Sequence, residues 1–395
     1  MRGQADVPSR EAVDFLRSIQ AYHAGGADNI TTRPASRRSH YAKANAFQLR
    51  DAIFLSKFRS LGLDLAEFEP IRNSHFTEYE DLVSAVLLWR ASRIVMEAFK
   101  FLEMVLPSGV ALGTLPLEGV NARVFSSPIG TPVIAINSAL ISFLYSMAKS
   151  VSLCLPLTTL PDGSVSLSSE EHPRIRNVEH TDDFAARLAD YLCSGYSGDA
   201  FENVVEYVDT PAFVFASELF FYSLVFVISH EFAHVAIGLP ENQGSHPSVT
   251  SVDLEAPQSW KTEFYADEIA LVVFRYLMIS SGDPREFMFG VVGAKFFFYC
   301  KEIVEYLKGK PEVATHPPLE LRKRRINVLL MSPDPLPEPV SSYINSYANM
   351  LTTSLEELVD QTMPKIISYS AALLDGQASA TDWLAELKSR VAANS

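Results

Sequence analysis

Apolar positions along this chain recur mostly at helical spacing, and the longest apolar stretches adjoin small clusters of ionisable residues. A first helical pattern runs from Arg10 to His23. A Gly/Asp/Asn turn and a basic stretch around Arg33 to Arg38 follow, and helical periodicity returns over Asp51 to Phe68. Thr77-Glu78-Tyr79-Glu80 reads as a capping box. It opens a longer helix with the apolar face Val83, Leu87, Ala91, Ile94, Ala98, Phe101 and Val105, and Pro107 ends it. Between Leu117 and Ile136 the spacing changes, and clusters of Gly, Pro and β-branched residues predict short strands. Ser138 to Leu153 reads as helix. LPLTTL and SVSLSS flank Pro161-Asp162-Gly163 and predict a hairpin between Leu155 and Asn177.

Helices are then predicted over Asp182 to Cys193, Ala200 to Val208 and Pro211 to Ile237, the last ended by Gly238. Glu241 to Pro257 reads as a polar loop. A helix carrying Glu263 runs to about Ile279, and another spans Pro284 to Leu307. Ser332 to Pro339 is a proline-rich break, and Ser341 to Ser395 reads as two helices. The expected fold is α+β and mostly helical, a small sheet with flanking helices. Its segments are a helical N-terminal region over 1–110, a central domain over 111–331 and a C-terminal helical region over 341–395.

The chemistry concentrates at His230-Glu231-Phe232-Ala233-His234, an HExxH motif at the end of the apolar run Leu219 to Ile228. Residues four apart on a helix share one face. Both imidazoles can therefore reach one metal ion, with Glu231 directed at water bound to it. An ordinary structural reading would make both histidines hydrogen-bonded surface or core groups. On so apolar a helix, however, two histidines and a glutamate are costly without a partner. Two histidines leave a zinc site incomplete. The metzincin extension fails, because Ile237 stands at its glycine position and Pro240 at its third histidine.

A glutamate from a second helix is the other solution. Glu263 and Asp267 are again four apart, just before the run IALVVFRYLMI. Glu263 would complete the metal site. Asp267 would accept the remaining ring N–H of a ligand histidine and fix its tautomer. The macrodipole alone would favour acidic residues at a helix N-terminus, but not their spacing. His246, in the polar loop, is the fallback ligand. A third segment, Ala314-Thr315-His316-Pro317-Pro318, opens a helix. His316 and Arg322 could approach the site from one side, each to stabilise an oxyanion or hold a substrate carbonyl. A capped basic surface helix is the alternative.

HEFAH, EFYAD and THPPLELR, in that order, resemble the HExxH, ExxxD and HP-x-x-x-x-R elements of M48-type gluzincin peptidases. Asn121-Ala122-Arg123 followed by Pro132 to Leu140 is similar to the family's segment before the catalytic helix, whose strand lies along the substrate cleft. The resemblance covers residues 119 to 331. Lys323 follows Arg322 where the family has isoleucine, and Arg325-Ile326 comes three residues later. The chain also resembles the phage-exclusion peptidases of the Lit type. Either likeness implies a zincin-like metallopeptidase core over 111–331. It also implies a peptide aligned along Val133 to Ile136 by β-addition.

The function expected is that of a zinc endopeptidase acting on a protein or peptide. His230, His234 and Glu263 would hold Zn2+, which lowers the pKa of its water. Glu231 would act as general base, and His316 and Arg322 would assist. A triggered phage-exclusion or toxin-type peptidase is one alternative. A zinc-binding regulatory protein with a vestigial site is another, although intact Glu231 argues against it.

Composition narrows the setting. A net charge of −14 disfavours nucleic acid and anionic membrane surfaces. With 48 % hydrophobic residues, disorder is excluded as the general state. Cys154, Cys193 and Cys300 form no CxxC, and the first residues carry no apolar signal core, so a cytoplasmic location is expected. The uncharged stretch Val124 to Ala148 is broken by Pro128, Gly130, Pro132 and Asn137. Glu218 interrupts the run before HEFAH. A buried strand and buried helices are expected in preference to a membrane span.

Overall fold

The computed structural model describes residues 7–25, 75–77, 79–80, 82–117, 119–161, 164–168, 180–194, 211–238, 257–308, 316–330 and 338–374. The helices expected over Asp51 to Phe68 and Ala200 to Val208, the stretch around Arg33 to Arg38, most of the proline-rich break and most of the Glu241 to Pro257 loop, with His246, lie outside them. The chain forms two compact units. One comprises residues 1–140 with 231–247, the other 141–230 with 248–395.

The first unit contains α1 (Arg10–Gly25), α2 (Leu82–Phe101) and three strands, β1 (Ala111–Leu115), β2 (Ala122–Ser126) and β3 (Pro132–Asn137). β3 is the central strand, parallel to β1 and antiparallel to β2. Ala12, Val13 and Leu16 of α1 share one core with Ala111, Leu115, Val133 and Ala135 of the sheet. The N-terminal helix and the strands are thus grouped together, across the segment boundary expected at 110. β1 precedes the stretch in which strands were expected. Its sequence, ALGTL, carries no β-branched run to announce it.

With both edges of β3 paired, no peptide can add along Val133 to Ile136, which corrects that expectation. The outer edge of β1 is closed by side chains. Gln20 Nε2 donates to the Thr114 carbonyl at 2.8 Å, and Glu80 Oε1 accepts from the Thr114 N–H at 3.1 Å. Glu80 also accepts from the Thr77 N–H at 2.9 Å, half of the expected capping box. One carboxylate therefore closes a helix-entry turn and a sheet edge. Of the face expected on α2, Leu87, Ala91 and Ala98 are buried. Leu88, Val95 and Phe99 are buried as well, whereas Phe101 is exposed and Val105 lies beyond the helix.

The second unit holds nearly all of α3 (Ser138–Cys154), then β4 (Leu157–Thr159) and β5 (Val165–Leu167), the expected hairpin. α4 (Thr181–Ser194) packs on a long C-terminal helix, α9 (Glu338–Leu374). α9 continues through Pro364 and is the described part of the region expected to form two helices. Between them in sequence come α5 (Pro211–Ile237), α6 (Gln258–Ser281), α7 (Pro284–Lys308) and α8 (Leu319–Leu330). The unit boundary falls inside α5, between His230 and Glu231.

α5 has the bounds expected from sequence. Among the described helices it alone is long and apolar enough to cross a membrane, and 61 % of its most apolar window is buried inside the protein, as for a core helix. The three cysteines form no disulfide. The molecule is α+β and mostly helical, as expected.

Candidate metal centre

Three helices carry the site. α5 is apolar on every side, so its burial follows from composition and leaves His230 only 8 % exposed. α6 begins after Pro257 and ends at Gly282, whose left-handed conformation lets its N–H bond back to Met278 O at 2.9 Å. Its buried stripe is Glu263, Asp267, Ala270 and Phe274, at spacings of four, three and four. The two carboxylates thus sit on the inward face, one turn apart. α8 starts on the Pro318 carbonyl, which accepts from Leu321 N at 2.9 Å and Arg322 N at 3.2 Å. Its buried stripe is Leu319, Arg322 and Ile326, so apolar neighbours anchor the helix and carry the guanidinium inward.

His230, His234 and Glu263 each offer one ligand atom, and these atoms lie within 4.8 Å of one another. Glu263 is 6 % exposed. His230 Nδ1 lies 2.9 Å from Asp267 Oδ1, while its Nε2 lies 3.4 Å from Glu263 Oε2. Asp267 thereby accepts the Nδ1–H hydrogen bond and leaves Nε2 as the ring atom beside the Glu263 carboxylate. Asp267 in turn accepts a bidentate pair from Arg322, Nη2 at 2.6 Å and Nε at 2.8 Å. Arg322 Nη1 is 3.4 Å from Glu263 Oε2, and His316 Nδ1 is 3.0 Å from Glu263 Oε1.

The electrostatics follow from these contacts. Burial raises the Asp267 carboxyl's affinity for a proton, but Arg322 and His230 outweigh it and hold its pKa below the ordinary value. Burial disfavours a charged His230, yet hydrogen bonds to Asp267 and Glu263 prevail and raise its pKa to about 9. Glu231, Glu263 and Asp267 are each less than a tenth exposed. Arg322 is a permanent cation that touches this group and pairs with two of the three. Three carboxylates buried in one group suit a bound cation. Two imidazoles and a carboxylate are the donor set of a first-row divalent ion.

The residues predicted from sequence therefore meet: His230, His234 and Glu263 in a group that could hold a metal ion, Asp267 behind His230, and His316 and Arg322 against Glu263. Glu231 follows His230 on α5 and is 8 % exposed. Arg322 reaches the site, whereas Arg325 pairs with Glu268 at 3.5 Å. Its guanidinium also lies 5.3 Å from the Phe264 ring centroid. Arg322 differs from expectation in one respect. It is 3 % exposed and directed at carboxylates, not presented for a substrate carbonyl. Sequence reasoning missed Phe298 of α7, whose ring centroid lies 4.7 Å from the Arg322 guanidinium carbon. The run Phe296-Phe297-Phe298 signals a core helix and nothing more. Comparison of the chain with protein-family models, curated proteins and solved structures finds no match.

Proposed function

We propose that this chain is a zinc-dependent endopeptidase of the gluzincin kind, with a zincin-like core and a protein or peptide substrate in the cytoplasm. The observation that carries the reading is the His230, His234 and Glu263 group, with ligand atoms within 4.8 Å, next to a glutamate at the HExxH general-base position. His230, His234 and Glu263 would hold the ion, which, when bound, supplies Lewis acidity and an acidified water.

The protein's own groups then have distinct tasks. Glu231 accepts the proton of the attacking water and passes it to the leaving amine. Asp267 keeps the His230 proton on Nδ1, so that Nε2 stays available as a donor. His316 touches Glu263 and keeps a side chain 38 % exposed, so its ring can donate to a substrate carbonyl as that oxygen gains charge.

Glu231→Gln tests the assignment of the base. The variant is expected to keep its zinc and melting temperature and to lose peptide hydrolysis by at least about 100-fold. Turnover is read by mass spectrometry on a degenerate peptide mixture with wild type alongside. Undiminished cleavage by the variant would remove Glu231 from the mechanism.

A further inference from the structure

Arg322 is the most enclosed charged side chain that the resemblance would make a substrate contact, and its surroundings speak against that role. Its guanidinium is committed on three sides. Nε and Nη2 donate to the two oxygens of Asp267, Nη1 lies beside Glu263 Oε2, and the ring of Phe298 covers one face. Phe298 is itself fully buried. A group that stabilises an oxyanion must present an N–H to the substrate oxygen. A fork 3 % exposed and engaged by two carboxylates does not.

We infer that Arg322 is a positioning residue for the cation site, acting through Asp267 and Glu263, with Phe298 fixing the plane of its guanidinium. The inference rests on the reading of His230, His234 and Glu263 as cation ligands. Its physical basis is that both carboxylates held by Arg322 set a ligand. Asp267 determines which nitrogen of His230 carries the proton, and Glu263 is itself in the ligand group. A bidentate planar fork can hold both oxygens of Asp267 and still reach Glu263. The compact ammonium of lysine cannot satisfy that geometry. Arg325 makes its own pair with Glu268 one turn away, a contact between α8 and α6 that replacement of Arg322 does not remove. His316, half-exposed beside the same Glu263, is left as the donor to the substrate.

The test is zinc affinity of the full chain, by competition with a chromophoric chelator, together with the visible spectrum of the cobalt(II)-loaded protein. Wild type is compared with Arg322→Lys, Asp267→Asn, the double variant and Phe298→Leu. Arg322→Lys is expected to weaken zinc binding roughly 10- to 100-fold and to shift the cobalt bands. The double variant should lose less affinity than the product of the two single losses, because the two changes share the support that runs through Asp267. Phe298→Leu should show a smaller loss in the same direction, and it decides the matter if Arg322→Lys fails to fold. Wild-type zinc affinity and an unchanged cobalt spectrum in folded Arg322→Lys would overturn the inference. So would unchanged affinity in Phe298→Leu where it is the deciding variant. If wild type itself binds neither zinc nor cobalt, the cation-site reading fails, a result distinct from binding that is indifferent to Arg322.

Discussion

Asp267 and Glu218 lie on consecutive helices, and their neighbours push them in opposite directions. Asp267 accepts from Arg322 and His230 and is held as a carboxylate. Glu218 meets mainly burial, with Glu286 and Asp283 adding repulsion against the attraction of Arg285, and its pKa rises from 4.5 to about 7. The consequence for stability follows from linkage. Between pH 4.5 and 7 the folded state retains a proton on Glu218 that the unfolded chain has released, so this group lowers stability as pH rises through that window. The effect amounts to at most about 3 kcal/mol and is complete above pH 7. Glu218→Gln should remove that slope and stabilise the protein at pH 8 relative to wild type, as measured by urea unfolding at a series of pH values. Parallel pH profiles for the two proteins would contradict the assignment.

Residue chemistry at the site was largely legible. The i, i+4 spacings of His230 with His234 and of Glu263 with Asp267 state which side chains share a helix face, and the structure keeps both pairs together. The role of Arg322 was not legible. Whether an arginine near a site faces substrate or backs onto a carboxylate depends on how α8 lies against α6 and α7, and no local pattern encodes that.

Among elements, close packing of α5, α6 and α7 places the site helices. Two glycines of α7 make that approach possible. A Cβ on Gly293 would come within 2.7 Å of the Ser223 backbone nitrogen of α5, and Ser223 Oγ donates to Gly293 O at 2.9 Å. A Cβ on Gly290 would lie 2.1 Å from Cγ of Phe274 on α6. Alanine at an ordinary helix position would gain up to about 1 kcal/mol. At Gly293 it must instead push a backbone aside, and Gly293→Ala is expected to destabilise by about 1–3 kcal/mol. Thermal melts followed by circular dichroism measure this, and an unchanged or higher melting temperature would refute the close-packing account. Helix positions were readable because apolar runs and their Pro and Gly boundaries are local, as for α5. β1 was not, since ALGTL becomes a strand by pairing with β3 and by receiving Gln20 and Glu80 on its outer edge. The burial of Leu88, Val95 and Phe99 beside the expected face of α2 has a similar origin, because packing partners far away in sequence select how wide an apolar stripe is covered.

For the whole molecule, the grouping into units was the least readable property. α1 and the three-stranded sheet share a core although the sequence between α1 and β1 is long, and α4 packs on α9 across more than a hundred residues. Such pairings have no signature in local periodicity. The motif helix belongs to both units along its length, since the boundary falls directly after His230. The central proposal is a zinc ion held by His230, His234 and Glu263. The most direct measurement is metal content by mass spectrometry on wild type and Glu263→Ala, both purified without a histidine tag. The expected result is about one zinc per wild-type chain and much less in the variant. A well-folded wild type that carries no metal and takes up none on addition of zinc would contradict the claim, and the HEFAH segment would then be a structural helix.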